Sequence, residues 1–103
     1  MSVYSIDLDN TICRTRGTDY QNAVPIKKAV RLVNELYDKG HTICIFTGRG
    51  SSSGLDWKDL TLRQLVKWGV KFHSLIMGKP PYDIFIDDHA INAKDWLNGK
   101  TEL

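Results

Sequence analysis

Long apolar runs are missing from this chain. Nothing approaches the ~20 residues of a membrane-spanning helix, and Asp7 and Asp9 interrupt the amino-terminal stretch before a signal-peptide core develops. The reading therefore expects a cytoplasmic protein with no membrane partner. Charge of one sign is also scarce: 14 Lys and Arg against 12 Asp and Glu leave a net +2. With no dense basic block, a nucleic-acid partner is not expected. Cysteine is limited to Cys13 and Cys44, which lack zinc spacing and are expected as free thiols in a reducing compartment. The excess of polar residues that marks disorder is absent, since 42% of residues are apolar and 25% charged. A length of 103 residues is enough for one domain, no second is expected within it, and a chain of this size buries roughly 60 to 70% of its unfolded surface. Residues 1–103 are expected to form one domain.

What is present is an alternation of strand-like and helix-like segments. VYSIDLD, residues 3–9, reads as a strand, and residues 10–24 as a loop or short hairpin. Pro25 is placed to open a helix. Ile26, Ala29, Val30, Val33, Leu36 and Tyr37 then form an amphipathic stripe that Gly40 stops. HTICIFTG, residues 41–48, suits a strand buried on both faces. RGSSSGLD is turn chemistry, with Asp56 as N-cap of a helix over 57–68. Residues 70–77 offer a third strand. After Gly78, Lys79, Pro80 and Pro81 break the chain, YDIFIDD at 82–88 offers a fourth, followed by a short helix at 92–97. The order predicts an α/β fold, a Rossmann-like and mostly parallel sheet with helices on both faces.

In such sheets ligands sit beyond the carboxyl ends of the strands. Those ends here carry Asp7 and Asp9, Thr47, Lys79, and Asp87 with Asp88. Adjacent strands lie ~4.8 Å apart, so carboxylates from the first and fourth strands would share a small site if these strands were neighbours. Like charges that close call for a cation, and an all-oxygen donor set suits Mg²⁺. In this reading Asp7 is a nucleophile that forms an aspartyl phosphate, and Lys79 offsets phosphoryl charge. Asp9, two residues on and directed to the same side by the strand period, protonates the leaving group. Thr47 and the Gly48 amide hold the phosphoryl group.

These residues resemble the haloacid dehalogenase (HAD) superfamily of phosphohydrolases. Its first motif, DxDx[TV], is matched by Asp7-Leu8-Asp9-Asn10-Thr11, its second by Thr47, its third by Lys79, and its fourth by IFIDD ending in Asp87 and Asp88. The resemblance implies that Asp7 is nucleophile and Mg²⁺ ligand, and that Asp9 is acid/base and lends its backbone carbonyl to the metal. Asp88 is then the direct ligand of the terminal pair, with Asp87 either a ligand or a support for Lys79. The first strand would lie between the second and fourth. Neither residues 12–24 nor the link from Lys79 to Asp83 has room for a cap domain. The chain resembles capless members, among them capsular polysaccharide biosynthesis phosphatases that share the DLDxTIC start and the IDDxAI finish. Capless members either act on large substrates or use a neighbouring subunit as a lid; the resemblance favours a small sugar phosphate as substrate, with a homo-oligomer completing the active site.

Around this core, Thr11 belongs to the first motif, and Arg14 and Arg16 are candidates for a second anionic group of the substrate. Arg49 and the GSSSG loop are candidates for an anion nest. His41 and His73 read as structural, His89 as a neighbour of the site, and Trp57, Trp68 and Trp96 as filling between helices and sheet. Competing functions are a phosphatase of nucleotides or nucleic-acid ends and a non-catalytic binding module on the same fold. A signalling receiver domain would need an Asp at the end of the third strand, where Met77-Gly78 stands.

Overall fold

The computed structural model describes residues 1–103. In chain order it contains β1 (Val3–Asp7), β2 (Cys13–Arg14), a 3-10 turn (Tyr20–Asn22), β3 (Val24–Pro25), α1 (Lys27–Asp38), β4 (Thr42–Thr47), α2 (Lys58–Lys67), β5 (Ser74–Met77) and α3 (Ala93–Leu97). The main sheet is parallel with strand order β1-β4-β5, and β2 and β3 form a small antiparallel hairpin inside the segment read as loop or hairpin. This is an α/β fold around a three-stranded parallel sheet.

Register explains which residues are covered. Tyr4 pairs with Ile43, and Ile6 with Ile45, which in turn faces Leu75. These side chains share one face and join Leu8, Val33 of α1, Leu65 of α2, Val70 and Trp96 in the hydrophobic core. Val3, Ser5 and Asp7 lie on the opposite face with Thr42, Cys44 and Phe46, and none belongs to that core. At the two edges this second face is open, with Val3 and Ile76 both exposed. The expected cover of helices on both faces is therefore corrected to one. The physical reason is topological: β1, β4 and β5 add in one direction, and right-handed crossovers in one direction place α1 and α2 on the same side.

The fourth strand is a second correction. Residues 82–88 form no strand; Ile84, Phe85 and Ile86 are exposed, and β1 is an edge strand rather than a central one. Pro80 and Pro81 remove two backbone donors at the entry to this segment. Tyr82 and Phe85 pack on each other, ring centroids 5.4 Å apart, instead of entering the sheet. Smaller shifts have local causes. Pro25 pairs with Cys13, and the Ile26 amide donates to the Ile12 carbonyl at 2.8 Å, so the chain stays extended and α1 begins at Lys27. Asp56 accepts from the Lys58 amide at 3.0 Å from one residue outside the N-cap, which is Trp57. Strand pairing near 70–77 covers only Ser74–Met77.

His73 is structural, as expected: its Nδ1 accepts from the Ile43 amide at 3.0 Å while its ring stacks on Tyr37. His41 likewise accepts from the Ser2 amide. Trp68 and Trp96 pack against the core, whereas Trp57 sits edge-on to Tyr20. Both cysteines are free and buried. No helix is long and apolar enough to cross a membrane.

Candidate functional site

β1 ends at Asp7, and strand alternation does not carry through Asp9. Asn10 takes a left-handed φ of 63°, a conformation that Asn adopts more readily than most residues. The Leu8 carbonyl then accepts from the amides of Thr11, Ile12 and Cys13, which folds the following turn back under the strand end. Asp7 and Asp9 consequently find different partners.

Asp7 faces the Lys79 ammonium, with Nζ 3.5 Å from Oδ1. Its carboxylate is one-third exposed, open to a ligand from the strand end. Burial pushes its carboxyl above the ordinary 3.8, and the charge of Lys79 offsets only part of that. Lys79 is held as well as paired. Its Nζ donates to the Tyr82 hydroxyl at 2.8 Å and lies over the rings of Phe46 at 4.4 Å and Tyr82 at 4.5 Å, within cation–π range. The Lys79 amide donates to the Thr47 carbonyl, and the Ser51 hydroxyl donates to the Lys79 carbonyl at 2.7 Å. Gly48 lets this loop come close: a Cβ there would stand 3.2 Å from the Lys79 carbonyl oxygen.

Asp9 is enclosed by donors. Arg49 Nη2 approaches Oδ1 at 2.9 Å and Nε approaches Oδ2 at 3.1 Å; the Thr15 hydroxyl donates to Oδ1 at 2.6 Å and the Thr47 hydroxyl to Oδ2 at 3.3 Å. Burial alone would raise this carboxyl, but the donors from Arg49 and Thr15 outweigh it and hold it below 3.8. The nearby Cys13 thiol is pushed by burial up to about 11, so it stays protonated and unreactive at neutral pH.

Arg49 is only 2% exposed. Its Nη1 donates to the Thr61 hydroxyl at 3.0 Å and to Gln64 Oε1 at 2.6 Å, its guanidinium lies 4.8 Å from the Tyr20 ring centre, and Nη2 reaches Cys13 Sγ at 3.9 Å. With the bonds to Asp9, every donor of the fork is engaged. The expectation that Arg49 binds substrate is therefore corrected: it is an interior residue. Thr47 is fully buried too, its hydroxyl bonded to Asp9 and accepting from the Arg49 amide at 3.2 Å, so it holds the site's carboxylate rather than a free phosphoryl position. Thr15, Tyr20, Thr61 and Gln64 were missed by sequence reasoning. The signal was there in α2, where Thr61 and Gln64 put polar side chains, one turn apart, on the inward face beside Leu65.

The other expected residues are more dispersed. Thr11 is half-buried in the turn, and Gly48 lies beneath the Lys79 loop. Arg14 and Arg16 are exposed and line an open cleft of about 580 Å³ with Asp19 and Asn22. Asp87 and Asp88 do not join Asp7: Asp87 caps the His89 amide at 2.6 Å, and Asp88, 89% exposed, lies 3.5 Å from His89 Nε2. No three carboxylate, imidazole or thiolate groups come together anywhere in the chain in a metal-binding arrangement.

The fold has a solved counterpart. The chain is similar to the crystal structure of a target protein from Vibrio cholerae, with a TM-score of 0.88 and 22% identity over 97% of this chain and 90% of that one. At that identity the likeness shows the fold alone. No family model matches the chain, and no curated protein matches it.

Proposed function

We propose that this chain is a phosphohydrolase of the HAD type that works through an aspartyl phosphate on Asp7. The observation that carries this reading is a one-third exposed carboxylate at the carboxyl end of a parallel strand, 3.5 Å from a lysine ammonium. A second carboxylate two residues on is held by buried donors. The Rossmann-like class expected from the element order belongs to the same proposal, supported by the parallel β1-β4-β5 order.

Asp7 Oδ attacks phosphorus as the bond to the leaving oxygen breaks, and Lys79 stabilises charge on the phosphoryl oxygens. Asp9 gives the leaving oxygen a proton where it needs one. Water then attacks the aspartyl phosphate, Asp9 takes the water's proton, and phosphate leaves Asp7. As held here, with its carboxyl below the ordinary value, Asp9 is suited first to the proton-accepting half of that cycle.

The donors at the strand end fit Mg²⁺ in the sparse way that ion is commonly bound, through one or two carboxylates with waters and substrate phosphate. Asp7 and the Asp9 carbonyl would hold it, and when bound it would neutralise phosphate charge. Asp87 and Asp88 would contribute only if residues 82–88 moved to the free edge of β1. A small sugar phosphate is the proposed substrate, by resemblance to capless phosphatases, with Arg14 and Arg16 lining the cleft for a second anionic group. A homo-oligomer would shield the open strand end, and a cytoplasmic setting fits such a substrate.

The test is phosphate release from p-nitrophenyl phosphate with Mg²⁺ and with chelator, for the native chain and Asp7→Asn. Metal-dependent turnover should fall by about 10⁴-fold or more in the variant, as for removal of a nucleophile. Equal turnover by both would overturn the proposal.

A further inference from the structure

We infer that Arg49 is the positioning residue for Asp9, an inference that rests on the phosphohydrolase reading. Three observations carry it. The guanidinium spans both carboxylate oxygens of Asp9, at 2.9 and 3.1 Å. Its other side is fixed by Thr61 and Gln64 of α2, and Gln64 in turn donates to the Tyr20 carbonyl at 2.6 Å. Arg49, Thr61 and Gln64 are buried, the Asp9 carboxylate is partly exposed, and no buried side-chain donor or acceptor is left unpaired.

The consequence is that Asp9, although it follows the strand on a turn, does not have a turn's freedom. One guanidinium ties it to α2, to the Tyr20 segment and to the end of β4. A planar five-donor fork can do this, whereas a lysine ammonium in the same place would satisfy fewer acceptors and leave the carboxylate free to rotate. Small angular errors in a proton-transferring group are costly, because general acid–base catalysis contributes about 10²- to 10⁴-fold only when the geometry is held.

Arg49 contacts no substrate in this scheme and acts only through the Asp9 carboxylate it holds, so its loss should affect the steps that use Asp9 and spare those that do not. Attack of Asp7 on an aryl phosphate expels a stable aryl oxide, with the electron pair of the broken P–O bond leaving on oxygen and no proton required. Attack on an alkyl phosphate requires a proton on the leaving oxygen. Hydrolysis of the aspartyl phosphate requires Asp9 to accept the proton of water in both cases.

The experiment compares the native chain with Arg49→Lys and Arg49→Met in Mg²⁺ buffer, on p-nitrophenyl phosphate and on an alkyl phosphate. For the aryl substrate, kcat/KM should stay within about 3-fold while kcat falls about 30-fold or more, with a burst of one equivalent of nitrophenol. For the alkyl substrate, kcat/KM should fall about 30-fold or more as well. Arg49→Lys should recover little of either loss.

A merely structural role would lower kcat and kcat/KM together for both substrates, and that result overturns the inference while leaving the phosphohydrolase reading intact. If the Arg49 variants do not fold, Thr61→Val and Gln64→Met remove only its outer contacts and should show the same split at about 3- to 10-fold. Native kinetics in both would overturn the inference. A native chain with no turnover on either substrate would remove the phosphohydrolase reading and this inference with it.

Discussion

Asp9 and Asp88 both stand at the tip of an apolar run that reads as a strand, yet their surroundings could hardly differ more. Asp9 receives hydrogen bonds from Arg49, Thr15 and Thr47. Asp88 touches only His89 and is 89% exposed. The difference lies in what arrives to meet each run. VYSID finds β4 as a parallel partner, and α2 closes over the end. YDIFI, entered through two prolines, finds no strand, and its rings gather around Lys79 instead. Apolar composition makes a segment able to be buried; a partner with matching donors and acceptors makes it so.

The strongest way to break the contrast is to remove the cation of the enclosed site. Arg49→Met leaves the Asp9 carboxylate, 21% exposed, without its charge partner, and should destabilise the fold by about 3 kcal/mol in urea titrations. A change below about 1 kcal/mol would show that Thr15, Thr47 and water satisfy Asp9 without Arg49.

Lys79→Met tests the carboxylate that stands between these extremes, Asp7, which is one-third exposed. Phosphate release should drop about 30- to 100-fold from the loss of one charged donor. Stability should change by less than about 1 kcal/mol, since the pair it makes with Asp7 is partly solvated.

Acid should separate the two carboxylates by sign. Asp9 titrates below 3.8 in the folded protein, so its stabilising contribution is present above that value and is lost as pH falls through the lower folded-state value. Asp7 titrates above 3.8. Its proton is held more tightly in the fold, so its contribution is present below 3.8 and is lost as pH rises through the higher value. In metal-free buffer, Asp7→Asn should therefore lose stability more steeply between neutral pH and pH 3 than the native chain. Parallel curves would show that the opposing contribution of Asp7 is negligible.

The smallest effect belongs to the exposed segment. Without metal, Ile86→Ser should change stability by less than about 0.5 kcal/mol, as exposed positions do. A loss of 2 kcal/mol or more would mean that residues 82–88 pack in solution, and would erase the contrast with β1.

The repeating pattern of strand and helix was legible because it is local. The stripe of α1 and the β-branched run of β4 each specify their own conformation, and the structure places those elements where that pattern expects them. The site was legible in part. Asp7 and Lys79 do meet, but Arg49 looked like a loop cation because it follows Thr47-Gly48 in a segment rich in Ser and Gly. Nothing within a few residues of it announces Thr61, Gln64 or Tyr20. Residues 82–88 misled for the opposite reason: a strand-like pattern states only a preference, and this segment, entered through Pro80 and Pro81, does not pair with the edge that β1 leaves free.

By itself, then, the sequence determined α1, β4 and α2 and the delivery of Asp7, Thr47 and Lys79 to strand ends, since each follows from side-chain period and turn chemistry over a handful of neighbours. Only the tertiary structure decided that one face of the sheet is covered, that Arg49 closes on Asp9 from 40 residues away, and that Asp87 and Asp88 stay outside. Those outcomes depend on which distant groups can be desolvated together with all their hydrogen bonds satisfied, a condition no short stretch of chain contains.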